Sequence, residues 1–80
     1  MTEGTWIKFV LVERKKKTDV YEVATKEDDI LLGRIRWFGR WRKYSFFPCD
    51  DTVFETVCLT EIVQFMNELM QERKHEREHR

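Results

Sequence analysis

Ile30-Leu31-Leu32-Gly33-Arg34-Ile35-Arg36-Trp37-Phe38-Gly39-Arg40-Trp41-Arg42-Lys43-Tyr44-Ser45-Phe46-Phe47-Pro48 is the stretch that decides the fold. Two runs rich in aromatic and branched residues flank Gly39, which is the sequence signal of a β-hairpin. Side chains alternate across a strand. Over Ile30 to Phe38, Leu31, Ile35 and Trp37 therefore share one face, and Leu32, Arg34 and Arg36 share the other. Over Trp41 to Phe47, Tyr44 and Phe46 fall on a face with Arg42, opposite Trp41, Lys43 and Phe47. Burying Ile35, Trp37, Tyr44 and Phe46 leaves Arg34, Arg36, Trp41 and Lys43 outside, with Arg40 at the turn and Arg42 near the edge.

Upstream, Thr5 to Glu13 is rich in branched and aromatic residues and reads as a first strand. Four consecutive cations, Arg14 to Lys17, end it in a charged turn that runs to Asp19. Val20 to Thr25 reads as a second strand, and Lys26 to Asp29 as a polar connection. Downstream, Pro48 and Cys49-Asp50-Asp51 terminate the sheet. Thr52 and Glu55 have capping-box spacing for a helix start; a start nearer Thr56 is the alternative. A long helix then reaches at least Arg73.

That helix carries two apolar stripes. Cys58, Ile62, Phe65 and Leu69 form one; Leu59, Val63, Met66 and Met70 form another, one position further on. One stripe is enough to pack a helix on a sheet. The second, displaced by about 100° around the axis, needs cover from the sheet, a second copy of the chain or another protein. The expected fold is α+β: a four-stranded antiparallel meander packed by one long C-terminal helix. Residues 1–73 would form the single domain and 74–80 a charged, disordered tail.

Eighty residues bury only about 60% of their unfolded surface, which favours binding over a catalytic cleft. The chain carries 15 Lys and Arg against 15 Asp and Glu, so its net charge is zero and it is no general polyanion binder. The charge is unevenly placed. Residues 1–49 hold eleven cations and seven acids, and residues 50–80 four and eight. Such asymmetry points to a charged partner on one side or to a basic sheet lying against an acidic helix. Cys49 and Cys58 lack metal-ligand spacing. No signal-peptide pattern is read, so the expected setting is cytoplasmic with both thiols reduced. Apolar runs are too short to span a bilayer.

Within Arg34 to Lys43 lie five cations, three large aromatics and no acid. Phosphates attract the cations and bases stack on the aromatics, so Arg34, Arg36, Arg40, Trp41, Arg42 and Lys43 are the candidate nucleic-acid-binding residues. Cations on the wet face of a sheet also discourage edge-to-edge aggregation, with no ligand implied. Trp and Arg equally dominate protein-binding hot spots. The other candidate surface is Leu59, Val63, Met66 and Met70, facing a protein partner or a second copy in a homodimer.

The run Leu32 to Pro48, followed by Thr52-Val53-Phe54 and Cys58-Leu59, resembles a group of small uncharacterised phage and prophage proteins. Their shared pattern is approximately LGxIxWxGxWRxYxFxP, then TxF, then CL and a helix, and the likeness covers residues 32 to about 70. It implies the cytoplasm of a bacterial host and brings no activity with it. A protein of that setting could also be an inhibitor of a host or defence protein. The sheet-then-helix order with an Arg-rich hairpin is similar, in architecture, to integrase arm-binding domains and AP2 domains. Those bind DNA through a three-stranded sheet backed by a helix; here a first strand is added.

Catalytic, metal and cofactor sites are not expected. His75-Glu76-Arg77-Glu78-His79 matches HExxH, but a working centre needs a third ligand and a rigid second shell. Only Arg80 follows, in a wholly charged tail. Ser45 lies in an expected strand between aromatics, and neither Cys has a base partner for nucleophilic chemistry beyond the tail histidines.

Overall fold

The computed structural model describes residues 4–78, with helix side chains described as far as Lys74. Four strands, β1 (Ile7–Arg14), β2 (Asp19–Thr25), β3 (Leu31–Phe38) and β4 (Lys43–Pro48), precede one helix, α1 (Thr56–Glu78). The strands form an antiparallel sheet in the order β1-β2-β3-β4. This is the expected α+β meander with its C-terminal helix.

Alternation decides which residues meet the helix. Ile7 and Phe9 of β1, Val23 of β2, Ile35 of β3 and Tyr44 of β4 are buried against Cys58, Ile62, Phe65 and Leu69. The stripe of Cys58, Ile62, Phe65 and Leu69 is thus the packing stripe. Phe65 lies flat on Phe9, with ring centroids 4.1 Å apart and planes within 2°. Tyr21 meets the same ring edge-on at 4.9 Å. Burying one such ring is worth about 1.5–3 kcal/mol, and an aromatic pair adds about 0.5–1.5 kcal/mol. Trp37 and Phe46 pack at the margin of this cluster. The Tyr44 hydroxyl accepts the Asp19 amide at 3.1 Å, tying β4 to the start of β2.

Two bulges adjust the faces. The β1–β2 register shifts between Leu11 and Glu13, leaving Val12 as the extra residue. The β2–β3 register shifts between Val23 and Ala24, whose partners are Gly33 and Leu31. The second shift corrects the alternation read from sequence. Leu32, expected outside, packs against the core, while Leu31 pairs with Ala24. A bulge adds one residue and so swaps the side on which its neighbours emerge.

Two boundaries also differ. β4 begins at Lys43, so Trp41 belongs to the turn and not to the strand. Pairing closes at Phe38 and Lys43, and Gly39 to Arg42 form two overlapping turns. In these Trp41 N–H donates to Phe38 O at 3.1 Å, and Arg42 N–H to Gly39 O at 3.3 Å. At the helix, the start is Thr56. The capping-box reading of Thr52 is not realised, because its hydroxyl donates to Cys49 O at 2.8 Å. Glu55 caps the helix instead, accepting the Cys58 amide at 2.7 Å and the Val57 amide at 3.1 Å. Those two amides, Cys58 first, hold its carboxyl below the usual carboxylate range. Phe54 meets Phe46 edge-on at 5.2 Å and closes the core under this link.

Further along α1, Arg73 lies over the Trp37 ring at 4.3 Å and donates to Lys17 O at 3.0 Å. The helical backbone continues to Glu78. The side chains of the expected charged tail beyond Lys74, including both histidines of the HExxH match, lie outside the described residues.

Gly33 is fixed by close approach. A Cβ there would stand 2.6 Å from Phe47 O and 2.7 Å from the Phe46 ring, whereas at Gly39 it would meet nothing within 4 Å. Gly33→Ala is expected to lower the unfolding free energy by about 1–3 kcal/mol, the range for overpacking, in urea titrations. Gly39→Ala should cost clearly less, and equal losses would contradict the packing described.

Candidate nucleic-acid interface

Pairs Arg34–Phe47, Arg36–Ser45 and Phe38–Lys43 emerge on the sheet face away from α1, since Ile35, Tyr44 and their neighbours pack beneath the helix. Arg34 and Arg36 therefore point outward as read from sequence, but both have partners. The Arg34 guanidinium donates to Glu22 Oε2 at 3.3 and 3.4 Å across the β2–β3 pair. Both side chains are well exposed, 53% and 34%, so the pair itself adds only about 0–1 kcal/mol. Its effect on the face is electrostatic, because an acid now offsets the Arg34 charge. Arg36 lies over the Phe47 ring at 3.9 Å, a cation–π contact.

Beyond them the hairpin tip differs in kind. Trp41 is 66% exposed although it meets Phe38 edge-on at 4.9 Å. Phe38 also stands nearly perpendicular to Phe47 at 5.8 Å. These three rings, with Arg40, Ser45 and Phe46, line an open recess of about 460 Å³. Arg40, Arg42 and Lys43 are exposed around it, and among the described residues none has an acidic partner within ion-pair distance. Arg42 holds a left-handed backbone at φ 54°, a conformation that side chains with a Cβ disfavour.

The meander gathers more charge at this end than the hairpin alone supplies. In an up-and-down sheet the β1–β2 and β3–β4 turns share one end, and α1 runs toward it. Arg14, Lys15, Lys16 and Lys17 thus stand beside Arg40, Arg42 and Lys43, and the Arg73 bond to Lys17 O fixes the helix there. The opposite end holds Glu27, Asp28, Asp50, Asp51 and Glu55 around Lys26, with Asp29 paired to Lys8. Much of the uneven charge is therefore distributed from end to end along the strands, while α1 adds Glu61, Glu68 and Glu72 along its own length. Sequence reasoning read Arg14 to Lys17 only as a charged turn. The signal was available: successive turns of an antiparallel meander alternate between its two ends, so the first and third share one.

The second apolar stripe divides. Met66 and Met70 pack against the core margin, while Leu59 and Val63 are 47% and 51% exposed. Cys58 is buried and Cys49 partly so, both as free thiols. Burial first, then Glu55, pushes the Cys58 thiol up. Among the described residues no cluster of His, Cys, Asp or Glu could hold a metal ion. No helix there is long and apolar enough to cross a membrane.

Fold and site together define a small sheet-and-helix domain with a cationic, aromatic tip. The chain belongs to a family that includes the uncharacterized 9.3 kDa protein of Acholeplasma phage L2. The two are 39% identical over 70 residues, a stretch that covers 86% of this chain and 90% of that relative. The kinship with small phage proteins rests on this similarity. No protein-family model matches the chain, and no solved structure matches it.

Arg42→Gly relieves the left-handed strain, which costs about 1–2 kcal/mol, and gives back part of it as unfolded-state entropy. A net gain of about 0.5–1 kcal/mol is expected in urea titrations. A loss of stability would mean that the Arg42 side chain supports the turn.

Proposed function

We propose that this phage-family protein binds nucleic acid, without catalysing a reaction on it, through the tip of the β3–β4 hairpin. The observation that carries this reading is the set Arg40, Arg42 and Lys43, cations that have no acidic partner among the described residues, around a largely exposed Trp41. Arg and Lys neutralise phosphates and release their counterions. An exposed indole beside them offers a stacking surface for a base. Arg34 and Arg36 flank the tip as weaker contributors, one offset by Glu22 and the other seated on Phe47. A regulatory role on phage or host nucleic acid suits a chain with no room for a cleft.

The test is a salt series of binding to mixed oligonucleotides. Arg40→Glu with Lys43→Glu should weaken binding by more than about tenfold without moving the urea midpoint. Arg34→Glu with Arg36→Glu should weaken it less. Affinity that survives the first pair unchanged would sink the reading.

A second reading has its own observation, the exposure of Leu59 and Val63 on α1. There the helix meets a protein, either a second copy or a host or defence protein that the chain inhibits, with Met66 and Met70 at the rim of the contact. Leu59→Glu with Val63→Glu would then dissociate the assembly in sedimentation runs. A monomeric wild type that captures the same partners as the mutant would end this version.

A further inference from the structure

The hairpin tip does not stand alone. Tyr21 pairs with Ile35, so by antiparallel register Asp19 stands level with Trp37, and the turn from Lys15 rises beside Phe38. The two turns are separated by about two strand spacings, close to 10 Å, and form one blunt cationic end. The molecule measures 40 × 21 × 20 Å along its principal axes, so that end is about as broad as the whole domain. The major groove of duplex DNA is only about 12 Å wide. A lone hairpin would enter it, but a hairpin flanked by a second turn of equal height is held out. The sheet face behind the tip offers no alternative ribbon. There Arg34 is met by Glu22, Arg36 is seated on Phe47, and Val10 and Val12 of β1 are exposed.

What the end does offer is chemistry for an unpaired base. The recess walled by Phe38, Trp41 and Phe47 is open to solvent, and Arg40 stands at its lip. Base pairs within a duplex present edges to a protein, whereas a single strand presents ring faces. With the proposed nucleic-acid binding as its premise, we infer that the ligand is single-stranded. Its phosphates cross the end from Lys15, Lys16 and Lys17 to Arg40, Arg42 and Lys43, and one base stacks on Trp41. The β1–β2 turn is thereby a second phosphate site, separate from the hairpin in sequence and continuous with it in space.

The experiment compares three labelled probes of about twelve nucleotides, long enough for a compact single-strand site. They are an oligothymidylate strand, a duplex, and an abasic strand with the same number of phosphates. Each is titrated against the wild type, Trp41→Ala and the triple variant Lys15→Ala, Lys16→Ala, Lys17→Ala. The oligothymidylate strand should bind at least about tenfold tighter than the other two. Trp41→Ala should lose about 5- to 150-fold on it, the equivalent of a stacked base, and nothing on the abasic strand. The triple variant should lower the salt slope by about two, at roughly 0.7 per phosphate contact on a single strand. Unchanged urea midpoints exclude unfolding as the cause. Duplex or abasic probes bound as tightly as the base-bearing strand would overturn the inference and leave nucleic-acid binding standing. An unchanged salt slope in the triple variant would remove the second turn. No binding of any probe at low salt would end both readings.

Discussion

The flat stack of Phe65 on Phe9, with Tyr21 against its edge, is the contact on which the rest of the molecule depends. One helix has to cover a four-stranded sheet, and it does so along a single stripe whose largest member is this ring. The stack fixes how far α1 lies from β1 and hence where the C-terminal turns of the helix arrive. Because of it Arg73 reaches both Trp37 and the Lys17 carbonyl, and the β1–β2 turn is held where the helix ends. The cationic end is thus a product of the core, assembled from segments far apart in sequence. It also follows that the face away from the helix has no second layer, so whatever emerges there is available to solvent.

The sequence made the architecture legible because two periodicities were clean. Period two over Arg34 to Phe47 assigned Ile35, Trp37, Tyr44 and Phe46 inward, and helical spacing assigned Cys58, Ile62, Phe65 and Leu69. Both rest on burial, which composition records directly. What was not legible depends on hydrogen bonds or on counting. Thr52 and Glu55 had capping-box spacing, but the Thr52 hydroxyl found the Cys49 carbonyl and left Glu55 to cap alone. Trp41 looked like a strand residue because aromatic content was read as strand, while pairing stops at Lys43. Leu31 and Leu32 exchanged faces because a bulge leaves no mark in the pattern of apolar residues.

The candidate site divides in the same way. That Arg34 and Arg36 would face outward followed from alternation; that Glu22 and Phe47 would engage them required the cross-strand register. Trp41 is the informative residue of the run Leu32 to Pro48. The other aromatic side chains there have packing or ring partners that account for them, whereas the indole meets Phe38 nearly at right angles and leaves most of its surface in water. Arg42 adds to this, since a turn built for stability alone would favour glycine at its left-handed position. The relationship to a phage protein agrees with the expected kinship to small phage proteins and brings no activity with it.

The end-to-end division of charge governs how this molecule meets another body before any contact forms. With no net charge it lacks a monopole, so a distant polyanion does not draw it in. What it has is a dipole along its 40 Å axis, and in physiological salt the field that could turn that dipole survives for only about 8 Å. Attraction therefore acts on orientation during the last step of approach and not on capture from afar. Encounters made with the acidic end are repelled and separate. The rate of productive encounter is set by how many arrivals are already facing the right way, and salt acts at close range, on how often a correctly turned encounter is held long enough to become a contact.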